Sequence, residues 1–415
     1  MRQVLHLLIL DRDRRAALAA RYDSRWLLPV IACRETTRAA LLVARWCAQR
    51  GIGSDVAGQW LGRAGRDATD WLVAIPARSS NRNPDSTFEW ISLDALSSGA
   101  SVLDYQTWAL ARSVRGRALP FVDGPFGNVD WPEPVRAWIG ESVGSPPCAW
   151  TPYRVSAHEI VLGVETASGR VYCKGLTADR ACEAALTQTL AALAPDSFAR
   201  TLALDRRNDG STWWLTAECA GRPERTHLAG PALARIQRMT AMAADRLALQ
   251  RLDVEMAAAW AVALLQDSAM GAAIRRACET TVRAGRPHAW IPMDLDPANV
   301  LVDDDGAVRF IDVDDSFFGP APLAMAILAR RSGGGGLYRA YEQSWSPSLR
   351  AVDWPAFEIA ATVVQFWLGW KRLERNIARG EVFVDRDLVS ARMRARLVRA
   401  IGISPFQPRP DDREA

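Results

Sequence analysis

Three side chains between Ile291 and Asp315 have the types and spacing to do chemistry together: Asp294, Asn299 and Asp312. Asp305-Gly306 stands between two apolar runs, and that dipeptide favours a two-residue hairpin turn because both central positions take positive φ. A hairpin centred on that pair opposes Asn299 to Asp312 at its open end, on one face, with Cβ atoms roughly 4.5 to 5.5 Å apart. An amide oxygen and a carboxylate held so suit one hard cation. Mg²⁺ prefers oxygen ligands, takes few from protein and leaves the rest to water and phosphate. Asp294 lies in a loop that Pro292 and Pro297 keep from becoming helix, where it reaches over the metal face toward a substrate hydroxyl. Asp303, Asp304 and Asp305 read as a solvated turn.

A fourth candidate stands out by rarity. All but two of the 51 basic residues are arginine, so a lysine needs a reason. Lys371, in Trp370-Lys371-Arg372, reads as a polar turn of a helix. Lys174 instead ends the strand pattern Gly169 to Lys174 after a Ser-Gly turn, and a compact ammonium on a half-buried strand does what a planar guanidinium cannot.

The elements that must position these groups fall into three regions and a tail. Residues 1–143 combine strand runs (Gln3 to Leu10, Asp70 to Ala77, Phe88 to Ser92) with one clear helix, Thr37 to Arg50, closed by Gly51: a compact α/β unit. Gly144-Ser145-Pro146-Pro147 marks a linker over 144–149. Residues 150–221 read as a small sheet with one helix (Ala181 to Leu193) and a last strand pair, Ala199 to Leu204 and Thr212 to Ala217. Residues 222–404 are mostly helical, over Ala232 to Leu252, Val254 to Gln266, Met270 to Arg283, Leu337 to Glu342, Pro355 to Asn376 and Asp385 to Ile401, around the hairpin region Ile291 to Phe318. Pro405 to Ala415 reads as a frayed tail.

Composition narrows the function classes. With 49% hydrophobic and 24% charged residues over 415 positions, the chain is globular rather than disordered or fibrous. Its longest apolar stretches, such as Met256 to Leu265, stop well short of the roughly 20 residues a membrane span needs. The apolar run Val4 to Leu10 meets Asp11 to Arg15, where a cleavable leader needs a longer core, so the expectation is a cytoplasmic first strand. Seven cysteines form no CxxC pair and four histidines lie far apart, which speaks against a compact zinc site and for free thiols in a reducing compartment. A net charge of +4 is too even to argue for nucleic acid. Lys371 to Arg399, with nine basic and four acidic residues, is the basic end.

Asp294-x4-Asn299, followed by Ile311-Asp312, Asp315 and Gly319-Pro320, resembles the catalytic loop and metal-binding motif of the aminoglycoside phosphotransferase and choline-kinase-like enzymes, which share the protein-kinase-like fold. The resemblance covers about residues 150–400 and implies an α+β bilobal domain: a small β-rich lobe over 150–221 and a helical lobe over 222–404. It implies ATP and Mg²⁺ as cofactors and transfer of a phosphoryl group to a small-molecule or peptide hydroxyl. Asp294 is similar to the catalytic base, and Asn299 and Asp312 to the metal ligands. Lys174 looks like the strand lysine that holds the α- and β-phosphates, and Glu183, the sole acid in its helix, like that lysine's ion-pair partner. Trp214 to Gly221, with Glu218 and Cys219, is similar to the hinge that receives adenine on its backbone. Phosphoryl transfer asks mainly for positioning and charge neutralisation, which these residue types supply.

Several positions depart from the family pattern. Pro292 and Met293 stand at the usual histidine and glycine, Asp296 at the common histidine after the base, and Ala324 at the acid after the Gly-Pro turn. There is no glycine-rich phosphate loop, so Val155 to Glu159 would have to serve. Asp315 fits either an acid supporting the metal ligands or the start of the next turn. An alternative is therefore a pseudokinase acting as a nucleotide-binding scaffold through protein partners. The acceptor is expected after Gly319, where Trp345, Trp354, Trp367 and Trp370 offer flat faces, although the helical spacing of Trp367 and Trp370 favours core for those two. The basic balance there points away from a polycationic acceptor and toward a neutral or anionic one. Neither nucleic acid nor membrane is an expected partner, and oligomeric state is open.

In the first region, Trp26 to Pro29, the helix ending at Gly51-Ile52, the strand around Trp71 and the segment Phe88 to Leu96 resemble a Nudix domain. Aligned on Gly51, that family's metal-binding glutamates fall on Arg45, Ala48 and Gln49. The resemblance implies a domain without pyrophosphate hydrolysis that binds or docks, and an unrelated α/β domain fits the same residues.

Overall fold

The computed structural model shows a mixed helix-and-sheet protein. It describes residues 2–10, 16–22, 25–34, 39–52, 59–63, 70–76, 88–92, 124–126, 131–156, 158–223, 228–284, 287–313, 315–332, 336–345, 352–378 and 386–402. Thr37, Ala77, Ala157, the segment 94–96, Asp385 and the tail after Pro405, all read above, lie outside the described residues. Two compact units emerge, one from the described parts of Met1–Ala181, Thr201–Glu218 and Ile377–Phe383, the other from Cys182–Arg200, Cys219–Asn376 and Val384–Ala415.

The first unit opens with β1 (Arg2–Leu10), β2 (Ala16–Tyr22), β3 (Arg25–Leu27), β4 (Val30–Arg34), α1 (Ala39–Gln49), β5 (Gln59–Arg63), β6 (Asp70–Pro76) and β7 (Glu89–Ser92). Their sheet runs β3-β2-β1-β6-β5, with β1 parallel to β6 and antiparallel to β2 and β4. Strand β1 is continuously apolar from Leu7 to Leu10, and these four residues are all buried, as in a strand covered on both faces. Leu5, Leu7 and Ile9 pack with Val43 and Cys47 of α1, and Leu8 and Leu10 are buried as well.

The same unit continues through α2 (Pro132–Val143), β8 (Ala149–Val155), β9 (Glu159–Thr166), β10 (Gly169–Leu176), β11 (Thr201–Arg206) and β12 (Thr212–Ala217). These five strands form an antiparallel sheet in the order β11-β12-β10-β9-β8. Helix α2 corrects the expectation of a single helix before residue 143. Pro132 fits its first turn, Gly144 ends it at φ 74°, and Val135 and Ile139 bury against Phe126, Trp131, Ile160 and Leu162. Four prolines (132, 134, 146 and 147) and two glycines (140 and 144) in and around a short apolar stripe mask it in the sequence.

The second unit contains α3 (Cys182–Leu193), α4 (Ala229–Met242), α5 (Val254–Leu265), α6 (Ser268–Ala284), β13 (His288–Pro292), β14 (Val300–Val302), β15 (Val308–Phe310), β16 (Ser316–Pro320), α7 (Pro322–Ser332), α8 (Gly336–Trp345), α9 (Trp354–Ala378) and α10 (Arg386–Gly402). The helix expected over Ala232 to Leu252 stops at Met242, and after one further turn Ala248 takes φ 47° and ends it. At the centre, Trp290, Phe310, Phe357 and Tyr341 are buried to 2% exposure or less, and Trp290 meets Phe198 and Phe310 edge-on. Trp345 and Trp354, expected to offer faces to an acceptor, are core instead, and Trp367 is core as its spacing favours. Trp345, Trp354 and Trp367 are buried, and Trp354 stacks on Tyr338 at 4.0 Å, while Trp370 is half-buried beside Trp260.

Candidate active site

The candidate residues of the second unit are brought together by two nested antiparallel ladders. The outer one pairs β13 with β16, from His288 opposite Pro320 to Pro292 opposite Ser316, and Met293 N–H extends it by donating to Asp315 O at 2.7 Å. The inner one pairs β14 with β15, from Val300 opposite Phe310 to Val302 opposite Val308, and is extended by Ile311 N–H to Asn299 O at 3.0 Å. Residues 294–298, 312 and 313 lie between the ladders. The two ladders therefore bracket the segments that carry Asp294, Asn299, Asp312 and Asp315.

The inner register differs by one residue from the expected one: Asn299 faces Ile311, not Asp312. The cause is Asp303. Its Oδ1 accepts Ala307 N–H at 2.8 Å, Gly306 N–H donates to Asp303 O at 3.1 Å, and a five-residue loop replaces the two-residue turn. Asp303 is thus a structural acid, further held by Arg309 at 2.7 Å, rather than a solvated one. The Arg309 bond, followed by the Ala307 bond, holds its carboxyl below the usual range. A slip of one residue inverts strand faces. Asp312, however, leaves the strand with φ 60°, an unusual value for a non-glycine residue, which redirects its exposed side chain.

Pro297 does not exclude helix here but starts one turn of it. Residues Pro297–Asn299 form a 3-10 turn capped by Asp296, whose Oδ1 accepts Ala298 N–H at 2.9 Å. The turn swings Asn299 back so that Nδ2 donates to Asp294 O at 3.0 Å. This fixes which end of the amide is which and leaves Oδ1, the ligand-capable atom, without a hydrogen bond among the described residues. A half-buried amide oxygen and an exposed carboxylate on adjoining backbone fit the hard-donor preference of Mg²⁺. Among the described residues no group of three or more His, Cys, Asp or Glu gathers as a metal cluster.

Two arginines that the sequence reading missed line this site. Arg331, in the last turn of α7, uses Nη1 to donate to Asp294 Oδ1 at 2.9 Å and to Asp296 Oδ2 at 3.1 Å. Arg372 of α9 pairs with Asp315. Neither is rare enough in an arginine-rich chain to be singled out by type. Ala324, at the position of the family's further acid, is fully buried in α7.

Behind the site, a buried polar network seats the outer ladder. Gln237 of α4 donates through Nε2 to Trp290 O at 3.0 Å and Ala321 O at 2.9 Å, and its Oε1 accepts Tyr341 O–H at 2.6 Å. Trp290 Nε1 donates to Ser316 Oγ at 2.9 Å, whose hydroxyl donates to Val313 O at 2.6 Å. The segment leaving the expected hinge is fastened to the inner hairpin: Gly221, at φ +125°, lies so close to Val302 that a Cβ would sit 2.8 Å from its backbone. Arg222 and Val302 exchange backbone hydrogen bonds at 2.9 and 3.0 Å.

In the first unit Lys174 sits on β10 between Val161 and Trp214, with Nζ 5.9 Å from the Trp214 ring centroid. Tyr172, two residues earlier on the same face, packs with Tyr153 at 5.9 Å, and burial, followed by the nearby Tyr153, pushes its phenol up to about 12. Glu218 is exposed just after β12, and Cys219 follows it, half-buried, as the first residue of its segment in the second unit. The turn proposed as phosphate loop is closed by its own side chain. Ser156 Oγ accepts the N–H groups of His158 and Glu159, which are thereby engaged in the turn. Glu159 is itself buried against Arg154 and Arg180. Glu183 lies in the first turn of α3, in the second unit, at 1% exposure.

No family model matches the chain, and no curated protein matches it. Solved structures do resemble it. Choline kinase LicA from Streptococcus pneumoniae shares 13% identity over 58% of this chain and 89% of its own, at a TM-score of 0.41. The GDP complex of aminoglycoside 2'-phosphotransferase-IIIa shares 11% over 64% and 95%, at 0.46. Spectinomycin phosphotransferase APH(9)-Ia, in complex with ADP and spectinomycin, shares 12% over 65% and 97%, at 0.43. Likenesses at this level leave function to the residues themselves. No helix among the described residues is long and apolar enough to cross a membrane.

Proposed function

We propose that the chain is an ATP- and Mg²⁺-dependent phosphotransferase with a protein-kinase-like domain, acting on a hydroxyl of a small molecule or peptide in the cytoplasm. The observation that supports this reading is the nesting of the two ladders, which brackets the segments carrying Asp294, Asn299 and Asp312, although Asp312 lies 18 positions after Asp294. Asn299 Oδ1 and the Asp312 carboxylate would hold Mg²⁺, which supplies positive charge against the phosphate oxygens. Asp294 orients the acceptor hydroxyl and takes its proton as the oxygen bonds to the γ-phosphorus and ADP departs. Lys174 would hold the α- and β-phosphates, Glu183 would take the part of its ion-pair partner as the resemblance implies, and the backbone at Glu218 and Cys219 would receive adenine. The region before Gly144 serves as a Nudix-like binding module without hydrolytic glutamates.

A second reading, a pseudokinase scaffold, is favoured by one observation: Arg331 already occupies the Asp294 carboxylate. Turnover and binding separate the two. Asp294→Asn is expected to lower ATP turnover by 10²-fold or more, while Mg·ATP binding by calorimetry stays within a few-fold. Mg·ATP binding with no turnover against any alcohol would leave the scaffold. No Mg·ATP binding at all would remove both readings.

A further inference from the structure

Arg331 is held in place but only partly used. Helix α7 is buried along residues Pro322 to Ala329, so its orientation is fixed by core packing and the exit point of its last turn is set. There two adjacent arginines diverge. Arg330 is half-buried and bonds Thr362, whereas Arg331 turns toward the loop before Asn299 and keeps 31% of its side chain exposed. Both of its bonds leave from Nη1, to Asp294 and to Asp296, and its Nε and Nη2 donors bond nothing among the described residues. A guanidinium presents five donors in a planar fork that matches carboxylate and phosphate oxygens two at a time. A second exposed guanidinium, Arg372, stands on Asp315, whose backbone is bonded to Met293 next to Asp294. The group expected to take the acceptor's proton thus has a half-employed anion receptor within hydrogen-bond distance.

We infer that Arg331 is a specificity-determining residue that selects acceptors carrying a carboxylate or phosphate near the hydroxyl. The inference deepens the phosphotransfer reading and rests on it for the identity of the hydroxyl's partner. The acceptor's anion takes the free edge of Arg331, which stays on Asp294 and Asp296 through Nη1, and the hydroxyl beside that anion is thereby delivered to Asp294. A cationic acceptor meets like charge at the same place. Lysine at 331 keeps the charge but loses the fork, and glutamine loses both.

The test uses the full chain and one polyol in four charge states: gluconate, glucose 6-phosphate, glucose and glucosamine. Equilibrium binding is measured by titration calorimetry in the presence of Mg²⁺ and a non-hydrolysable ATP analogue, for wild type, Arg331→Lys and Arg331→Gln. At least one of the two anions should bind wild type tenfold or more tightly than glucose. That preference should fall to within about twofold in Arg331→Gln and lie between in Arg331→Lys. Gluconate against glucose 6-phosphate tells a carboxylate acceptor from a phosphate one. A site in which Arg331 merely steadies Asp294 would lose binding of all four compounds equally, and that result overturns the inference. Glucose or glucosamine binding wild type as tightly as either anion overturns it too. ATP turnover with the same compounds reads the phosphotransfer proposal separately, so an anion preference without turnover would strike that proposal and leave the receptor standing.

Discussion

Gln237→Leu probes whether the buried network holds the strand that delivers Asp294. Gln237 is fully buried and serves three partners: the carbonyls of Trp290 and Ala321 and the hydroxyl of Tyr341. Leucine fills similar volume but strands all three groups. A buried polar group left without its partner costs about 1 to 3 kcal/mol, so three lie on the order of 3 to 9, and the added apolar burial offsets about 1. The expected loss, about 2 to 8 kcal/mol, is a large part of a typical 5 to 15 kcal/mol stability. Tyr341→Phe strands only the Gln237 amide oxygen and should cost about 1 to 2 kcal/mol. In the double variant neither the Tyr341 hydroxyl nor the Gln237 amide oxygen exists to be stranded, so the two losses should fall short of additivity by about 2 to 4 kcal/mol. Urea denaturation, followed by tryptophan fluorescence and far-ultraviolet circular dichroism together, measures all three variants and shows whether the two probes coincide. A Gln237→Leu protein within 1 kcal/mol of wild type, or strict additivity, would refute the account.

Other consequences are as specific. Gly221→Ala should lower stability by roughly 2 to 4 kcal/mol, since the new Cβ meets the Val302 backbone at 2.8 Å at φ +125°. Gly306→Ala, with only Leu228 at 3.8 Å, should show little beyond the left-handed penalty of about 1 to 2 kcal/mol, both read as denaturation midpoints. Because the folded state holds the Asp303 carboxyl below its usual range, its contribution is present above the unfolded value near 4 and fades as pH falls through the lower folded value. Wild type should therefore exceed Asp303→Asn in midpoint at pH 6 and converge with it toward pH 2. Glu358 behaves oppositely. Burial raises its carboxyl, so stability declines as pH rises from the unfolded value near 4.3 through the folded one, and Glu358→Gln should gain on wild type between pH 4 and 8. Among thiols, exposed Cys148 and Cys182 should react rapidly with a disulfide reagent, and Cys173, whose thiol burial pushes up to about 12, should resist, as mass spectrometry would show. Slower modification of Cys219 in the presence of Mg·ATP would support a hinge role, and an unchanged rate would count against it.

Much of this was legible in the residues because it is local. The strand Thr212–Ala217 and the helix at Val254 follow from apolar runs and caps, Asp253 accepting Met256 N–H as an N-cap should. The hairpin itself was legible from Asp-Gly, but its register was not. One side chain, Asp303, has two acceptor oxygens and can bond the backbone four residues on, and that choice between loop lengths is decided by geometry rather than by residue type. The same limit hid Arg331 and Gln237. Each acts on a partner at least 35 residues away in sequence, through a bond no periodicity encodes. Trp345 and Trp354 were misjudged for the converse reason: their helices are amphipathic, but aromatic spacing does not say which side faces the core.

At the positions where this chain departs from the pattern it resembles, the candidate base draws its support from other atoms. Where a histidine and a glycine would precede the base, Pro292 closes the outer ladder opposite Ser316 and Met293 continues it. Both polar groups of the Met293 backbone are satisfied: its N–H donates to Asp315 O at 2.7 Å, and its carbonyl accepts Gln365 Nε2 of α9 at 3.0 Å. Asp294 then begins from a residue held on both sides, its own carbonyl bonded to Asn299 Nδ2 and its carboxylate to Arg331. A proline is tolerable at that place because it ends the strand, where a donor is no longer required of it. Gln365→Leu isolates this substitute. It leaves every charged group in place and removes one hydrogen bond, so overall stability should fall by only about 1 to 2 kcal/mol. ATP turnover should fall more steeply than Mg·ATP binding if the carbonyl of Met293 is what aims Asp294. Turnover that tracks the folded fraction alone would show that the base is positioned by something else.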